Sequence, residues 1–232
     1  MTIKVRRYTS YFYCAVFLAV RYTTPMREKL IIITSVAILS IALIVFLQKS
    51  DGAVRNAPTP GNTIVVLGDS LTVGIGDTDG DGWVPLVEAQ LGRKITRIAT
   101  PGETTAGGLA RLDEVRALKP DTVIVFLGGN DALRRIPVAD TFAHLQTIIT
   151  TLQEEGILVV LVGVRGSFFG DRYEQEFKTL AEDTRAALVL NVLKDIFNNP
   201  DRMSPDRIHP NTEGYILIAK RITETLKPLI SI

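Results

Sequence analysis

The sequence predicts an α/β fold in which a five-stranded parallel sheet lies between two layers of helices. Five short apolar runs rich in β-branched residues recur along the chain, and amphipathic helical patterns separate them. The runs are apolar almost throughout rather than alternating with polar residues, which indicates strands buried on both faces. Strands that alternate with helices are joined by crossover connections, so we predict a three-layer α/β/α sandwich.

The predicted elements follow one another in order from about residue 62. The five strands are TIVVL (63–67), KITRIA (94–99), DTVIVFL (121–127), ILVVLV (157–162) and ALVLNV (187–192). The helices occupy 83–91, 104–118, 137–155, 172–185 and 211–228. In the last helix, Tyr215, Ile218, Ile222 and Leu226 form one apolar stripe, and Asn211 or Thr212 can cap its start.

The segment before this domain contains a long apolar run, LIIITSVAILSIALIVFL at 30–47. Its 18 uncharged residues span roughly 27 Å as a helix, against ~30 Å for the hydrocarbon core of a membrane. A cleaved signal has an apolar region of about 7–15 residues and a small-residue cleavage site, whereas QKSDGAVRNA offers no clear site. We therefore predict an uncleaved transmembrane anchor, with a secreted domain as the alternative if the segment is removed.

The charges around that run predict its orientation. Residues 1–60 carry eight Lys or Arg against two acidic residues, and most of the basic residues precede the run. The positive-inside rule then places the basic segment 1–29 in the cytoplasm and the domain in the periplasm or outside the cell. Because Met26 opens the compact basic head MREKLIII, we hypothesise that translation starts there. The NAPTPGN stretch predicts a linker at 48–61 before the domain at 62–232.

Composition excludes several classes of function. Beyond residue 60 the chain has 18 basic and 23 acidic residues and no basic stripe, so nucleic acid is not an expected partner. The single cysteine, Cys14, allows neither an intrachain disulfide nor a cysteine metal cluster. The oligomeric state cannot be read from the composition.

Polar residues follow the predicted strands at the edge where the sites of parallel sheets form. They are Gly68–Asp69–Ser70–Leu71 after the first strand, Gly102 after the second, Gly128–Gly129–Asn130–Asp131 after the third, and Asp206 and His209 after the last. Acyl transfer needs a nucleophile, a base, a carboxylate that orients the base, and donors for the oxyanion. Ser70, His209 and Asp206 fit the first three roles. The backbone N–H groups of Ser70 and Gly102 and the Asn130 amide fit the fourth.

Taken alone, each of these residues also has an ordinary structural explanation. A serine after a strand is usually a helix cap or turn residue, Asn130 suits a left-handed turn, and His209 suits a loop. Asp69 and Asp131 are interpreted as structural acceptors of backbone hydrogen bonds. The other histidine, His144, projects away from the apolar stripe of its helix and is expected at the surface.

Together the four motifs resemble those of the SGNH hydrolases, also called GDSL esterases and lipases. The resemblance covers nearly all of 62–228 and implies a five-stranded, flavodoxin-like α/β/α sandwich. It also implies that Ser70 is the nucleophile, His209 the base and Asp206 its partner, with an oxyanion hole from Ser70, Gly102 and Asn130. GGNDALR and the Trp83-x-Pro85 element resemble the small bacterial thioesterase, lysophospholipase and arylesterase branch.

The function expected from this resemblance is hydrolysis of acyl or aryl esters or thioesters through an acyl-enzyme, on a small or lipid-like substrate and without a cofactor. An envelope carbohydrate O-deacetylase or an acyltransferase is the alternative among enzymes. A non-catalytic module that binds acyl or glycan ligands, or a calcium-dependent interaction module, is the alternative from another class.

Two further motifs each allow two interpretations. DTDGDGWVPLVE at 77–88 fits the calcium-loop pattern through Asp77, Asp79, Asp81 and Glu88. An EF-hand needs a helix on each side, however, and an Asp/Gly-rich surface loop is the simpler explanation. Aromatic residues after the fourth strand, Phe168, Phe169 and Tyr173, could line an acyl or aryl pocket or form a hydrophobic clasp over the sheet. Arg134 and Arg135 face either an anionic head group or solvent.

Overall fold

The computed structural model describes residues 25–26, 31–40, 53–164 and 170–231. The chain divides into two compact units, Met1–Gly52 and Ala53–Ile232. In the first unit, residues 31–40 are helical. Among the described residues, no helix is both long enough and apolar enough to cross a membrane. The predicted span at 30–47 lies within the described residues only at 31–40, and the predicted start at Met26 stays a prediction.

The second unit contains a parallel sheet of five strands, which confirms the predicted fold class. The strands are β1 (Ile64–Gly68), β2 (Ile95–Ala99), β3 (Thr122–Phe126), β4 (Leu158–Val162) and β5 (Ala187–Val189). Their order across the sheet is β2-β1-β3-β4-β5, and every neighbouring pair is parallel. The first four strands lie within two residues of their predicted bounds, whereas β5 ends three residues before its apolar run does.

Eight α-helices of this unit are described. They are α1 (Ser70–Val73), α2 (Trp83–Leu91), α3 (Thr105–Ala110), α4 (Leu112–Ala117), α5 (Gly129–Leu133), α6 (Val138–Glu154), α7 (Gly170–Thr184) and α8 (Thr212–Leu226). Short 3₁₀ helices occupy Pro200–Arg202 and Lys227–Leu229. Sequence periodicity missed α1 and α5, because four or five residues are too few to show a helical repeat.

The single helix predicted over 104–118 is two helices in the structure. The break falls at Arg111, whose φ of −100° and ψ of 9° are not helical. Gly107 and Gly108 lie in the turn before it, and glycine weakens a helix interior. A Cβ atom at Gly108 would overlap with the Leu127 side chain, so the glycine allows α3 to approach the sheet closely.

Helices cover both faces of the sheet. Every residue of β1, β3 and β4 is buried. One helix group consists of α2 packed on α8, and the other of α6 packed on α3 and α7. In the core, the Trp83 and Phe126 rings have centroids 6.2 Å apart, and both side chains are almost fully buried. Burying such a side chain contributes roughly 1.5–3 kcal/mol.

The second half of the predicted linker is packed on the domain. Arg55 donates its N–H to the carbonyl oxygen of Arg185 at 2.8 Å. The Asn56 side chain donates to the carbonyl oxygens of Gln153 and Ile157, both at 2.9 Å, where α6 ends. These bonds attach the segment to the last turn of α6 and to the residue before β4. The compact unit therefore begins at Ala53 rather than at residue 62.

The strand order places a crevice at the carboxyl ends of β1 and β3. These strands are neighbours, but the chain visits the edge strand β2 between them. The connections that leave β1 and β3 therefore run in opposite directions, and such a switch point opens a site beyond the strand ends. The short helices α1 and α5 begin there, directly after β1 and β3.

Candidate active site

Ser70 begins α1 directly after β1. Asp69 caps this helix, since its Oδ1 atom accepts the N–H of Leu71 at 3.0 Å, and Gly74 ends the helix with a φ of 92°. A Cβ atom at Gly68 would overlap with the Thr72 side chain. Glycine at 68 therefore permits the sharp turn from strand to helix that presents Ser70 at the edge of the sheet.

Ser70, His209 and Asp206 are connected by hydrogen bonds. His209 Nε2 lies 3.0 Å from Ser70 Oγ, and His209 Nδ1 lies 2.6 Å from Asp206 Oδ2. A carboxylate can only accept, so Nδ1 carries the proton in this pair. The neutral imidazole then directs the lone pair of Nε2 toward the Ser70 hydroxyl. This arrangement can take a proton from a nucleophilic hydroxyl.

The Asp206 carboxylate is held by donors other than His209. Its Oδ1 atom accepts the Ser204 hydroxyl at 2.7 Å and the N–H groups of Ile208 and His209 at 2.8 and 2.9 Å. Desolvation raises the pKa of Asp206, but the bonds from His209, Ser204 and Ile208 outweigh it and hold that pKa well below its usual range. Asp206 is therefore negatively charged at neutral pH and orients the imidazole.

The loop after α1 is joined to the segment that carries His209. Tyr215 donates its hydroxyl to the Ile75 carbonyl at 2.7 Å, and Thr212 donates its hydroxyl to Asp77 Oδ1 at 2.6 Å. Gly76 lies so close that a Cβ atom there would be 2.5 Å from the Pro210 carbonyl and 2.8 Å from the His209 Cβ. These contacts set the position of the His209 segment relative to that of Ser70.

The proposed calcium loop instead belongs to this junction. The Asp77 carboxylate accepts the Thr212 hydroxyl and the N–H groups of Asp79 and Gly82, and these bonds lower its pKa despite desolvation. Glu88 lies on α2, and its Oε1 atom accepts the N–H of Ile95 at 2.7 Å. Because α2 begins at Trp83, the second half of the motif is helix rather than an ion-binding loop.

The four carboxylates Asp77, Asp79, Asp81 and Glu88 are accordingly not assembled as ligands. Within the described ranges, no group of three or more His, Cys, Asp or Glu side chains could hold a metal ion. The geometry therefore gives the calcium hypothesis no support.

Two of the three expected oxyanion donors form no hydrogen bond to the residues that the structure describes. They are the N–H groups of Ser70 and Gly102. Asn130 differs, because its Nδ2 atom donates to Asp69 Oδ2 at 2.9 Å and to the Glu103 carbonyl at 3.0 Å. The Asn130 amide therefore contacts the residue before Ser70 and the residue after Gly102. The structure thus brings the three predicted donors to one place.

Asp69 contacts a candidate oxyanion residue, in addition to the backbone hydrogen bond that the sequence predicts for it. The expected backbone hydrogen bond is present, but the other carboxylate oxygen contacts the Asn130 amide. Burial raises the pKa of Asp69 to about 6, while the bonds from Leu71 and Asn130 and the charge of His209 partly offset that rise. Its sequence signal was only the position directly before Ser70.

Asp131 forms a second buried connection. It is fully buried and accepts both the N–H of Thr105, at 2.9 Å, and the Thr105 hydroxyl. The same hydroxyl lies 3.2 Å from His144 Nδ1. The expectation that His144 is a surface residue is therefore wrong in part, since the side chain is half-buried against the start of α3.

The predicted aromatic pocket is not formed by Tyr173. This side chain is only 5% exposed, and its ring packs edge-on against Phe142 with centroids 5.5 Å apart. Tyr173 lies one helical turn before the buried Phe177 on α7, so both rings face the core. This favours the clasp over the substrate contact. Phe168 and Phe169 lie outside the described residues.

Comparison with known proteins identifies the class of this domain. Residues 66–217 match the GDSL-like lipase/acylhydrolase family. Because that match covers more than half of the chain, the protein belongs to this family and is a hydrolase acting on ester bonds.

Three relatives illustrate the similarity. Esterase TesA of Pseudomonas aeruginosa is 32% identical over 179 residues, which cover 72% of this chain and 89% of TesA. Thioesterase 1/protease 1/lysophospholipase L1 of Escherichia coli K12 is 29% identical over 178 residues, 73% of this chain and 86% of that protein. The crystal structure of the psychrotrophic esterase EstA from Pseudoalteromonas sp., inhibited by monoethylphosphonate, matches with a TM-score of 0.65 and 30% identity, covering 72% and 97% of the two chains.

Proposed function

We propose that the domain hydrolyses carboxylic esters and thioesters through an acyl-enzyme on Ser70. The observation that carries this proposal is the chain of hydrogen bonds from Ser70 Oγ to His209, at 3.0 Å, and from His209 to Asp206, at 2.6 Å. A hydroxyl, an imidazole and a carboxylate in this order form the arrangement that activates serine for acyl transfer.

In the first half-reaction, Ser70 Oγ attacks the carbonyl carbon while His209 Nε2 takes the hydroxyl proton. The tetrahedral intermediate collapses, the bond to the alcohol or thiol breaks, and His209 returns the proton to that leaving group. In the second half, water attacks the acyl carbon, His209 takes its proton, and the acid leaves as Ser70 recovers its hydrogen. Asp206 stays ionised throughout and stabilises the imidazolium.

The N–H groups of Ser70 and Gly102 would stabilise the oxyanion. The Asn130 amide would join them by directing toward the oxyanion the hydrogen that it now donates to the Glu103 carbonyl, while Asp69 holds the other. Removing such a donor typically lowers the rate by about 10²–10³. The cycle as written requires no metal ion or organic cofactor.

The substrate that we propose is a small or lipid-like acyl or aryl ester, or an acyl thioester. Support comes from the relatives named esterase and thioesterase/lysophospholipase, which match over most of their own length. Short and long nitrophenyl esters, an acyl thioester, a lysophospholipid and an acetylated sugar separate the candidate classes. Preferential turnover of the acetylated sugar would favour a carbohydrate deacetylase instead.

The two histidines provide a matched test of these roles. Ser70→Ala and His209→Ala should each lower kcat of the full-length protein on a nitrophenyl ester by at least about 10³-fold. His144→Ala, which removes the other half-buried imidazole, should stay within about threefold of the original enzyme. Full turnover by Ser70→Ala would rule out the acyl-enzyme, and loss only in His144→Ala would reassign the base.

We also propose that residues 30–47 anchor the domain outside the cytoplasm. The uncharged length of that run and the basic residues before it support this orientation. External protease applied to intact spheroplasts should digest a tag at the carboxyl terminus. A tag that is protected until the membrane is broken would contradict the orientation.

A further inference from the structure

The segment between β2 and α3 carries Gly102, but it consists of a turn and irregular chain. Three groups from α5 and the residue after it hold this segment and the first residue of α3. Asn130 Nδ2 donates to the Glu103 carbonyl at 3.0 Å, Asp131 accepts the N–H of Thr105 at 2.9 Å, and Arg134 Nη2 donates to the Gly102 carbonyl at 2.7 Å. Of these three contacts, only the one from Arg134 is made to Gly102 itself.

Gly102 lies in a turn that the Arg134 contact attaches to α5. Its φ of +78° lies in the left-handed region that glycine adopts without strain, and the Glu103 N–H donates to the Thr100 carbonyl at 3.0 Å, which closes a turn around Gly102. A Cβ atom at this position would lie 3.2 Å from Arg134 Nη2, so the guanidinium lies directly beside the residue. A hydrogen bond from a charged donor to the Gly102 carbonyl fixes this turn relative to α5, and with it the place from which the Gly102 N–H points.

Arg134 also contacts the second oxyanion residue. Its backbone N–H donates to the Asn130 carbonyl at 3.0 Å, which is the ordinary i→i−4 bond at the end of α5 and does not depend on the side chain. One residue thus joins the backbone of Asn130 to the backbone of Gly102. The planar guanidinium reaches the carbonyl with a directed N–H, which a lysine ammonium reproduces only in part.

We propose that Arg134 is a positioning residue that holds the Gly102 N–H toward the developing oxyanion. The inference rests on the proposed function, in which Gly102 supplies an oxyanion donor. Arg134 acts through Gly102 on the step in which charge develops, so its loss lowers kcat on every ester irrespective of the charge of the substrate. Recognition of an anionic head group would instead change KM, and only for anionic substrates.

The test compares Arg134→Ala with Arg135→Ala, which removes the same charge from the next residue. Both full-length variants are assayed on neutral p-nitrophenyl butyrate and on anionic lysophosphatidylglycerol. We expect Arg134→Ala to lower kcat about tenfold on both substrates with KM within about twofold. For Arg135→Ala, both kcat and KM should stay within about twofold on both substrates.

Two further measurements test the guanidinium itself. Arg134→Lys should lower kcat less than Arg134→Ala does, and added guanidinium ion at non-denaturing concentration should restore part of the Arg134→Ala activity. Arg134→Gln, which keeps a donor without the charge, replaces the alanine variant if that variant does not fold.

Two results would overturn the role of Arg134. A loss confined to KM for the anionic lipid would assign it to head-group binding, and an unchanged kcat on both substrates would remove it from the site. Ser70→Ala, assayed in parallel, separates this failure from failure of the proposed function. An inactive Ser70→Ala beside an unaffected Arg134→Ala refutes only the positioning role, whereas an active Ser70→Ala refutes the acyl-enzyme on which it rests.

Discussion

The Nδ2 atom of Asn130 lies 2.9 Å from the Oδ2 atom of Asp69, the residue directly before Ser70. This bond joins the carboxyl ends of β1 and β3 across the crevice between them. Asp69 uses its other oxygen to cap the helix that begins with Ser70. A single buried carboxylate therefore orients both the candidate nucleophile and a candidate oxyanion donor.

The first prediction concerns this carboxylate. Asp69→Asn should lower kcat on a nitrophenyl ester about tenfold at pH 7.5 with little change in KM, because an amide presents one acceptor oxygen where Leu71 and Asn130 need two. Steady-state kinetics measure the effect, with the exposed Asp201→Asn as the control for the charge change. Equal kcat in the two variants would show that Asn130 does not depend on Asp69.

The second prediction concerns stability and pH. Because burial raises the pKa of Asp69 from 3.8 to about 6, its contribution is fully present below about pH 4 and is lost as the pH rises through 6. We therefore compare the free energies of unfolding of Asp69→Asn and the original protein. As the pH rises from 4 to 7, the difference between them should change in favour of Asp69→Asn by up to about 3 kcal/mol. Urea unfolding followed by the fluorescence of Trp83, the only tryptophan, measures this difference.

Asp206 should show the opposite sign. Its pKa is lowered, so its contribution is present above the ordinary carboxyl pKa and is lost as the pH falls below it. The destabilisation caused by Asp206→Asn should accordingly shrink on acidification.

The raised pKa of Asp69 would be contradicted if the stabilities of Asp69→Asn and the original protein changed in parallel between pH 4 and 7.

The third prediction uses two glycines that both have positive φ. Gly76→Ala places a methyl group 2.8 Å from the His209 Cβ, so it should displace the imidazole and lower kcat at least about tenfold. Gly92→Ala, at the end of α2, meets nothing within 4 Å and should reduce stability by about 1 kcal/mol with kcat unchanged. Kinetics and thermal melting of both variants make the comparison. Equal kcat values would mean that Gly76 does not position His209.

The sheet and the meeting of the four motifs were predictable from sequence for a simple reason. Parallel strands that alternate with helices bring their carboxyl ends to one edge, so residues as far apart as Ser70 and His209 are collected by topology alone. Buried strands also have a strong apolar signal, which located four of the five accurately.

The failures concern features that depend on individual side-chain contacts. No local pattern shows that the Asn130 amide is already bonded to Asp69 and Glu103, since these partners come from two other loops. The aromatic character of Tyr173 is the same in a pocket and in a core, and only packing against Phe142 distinguishes them. The calcium pattern at 77–88 records only residue types, whereas the hydrogen bonds that Asp77 accepts from Thr212 and Glu88 accepts from Ile95 are visible only in the structure.

The central claim is tested most directly by covalent labelling of the nucleophile. A p-nitrophenyl alkylphosphonate transfers its phosphonyl group to an activated serine. A P–O bond forms to the serine Oγ atom, and p-nitrophenolate leaves. Mass spectrometry of the digested full-length protein should find one phosphonyl group per inactivated molecule, on the peptide that contains Ser70, and labelling should be at least about 10³-fold slower in His209→Ala. Inactivation that leaves Ser70 unmodified, or equally fast labelling without His209, would contradict the account.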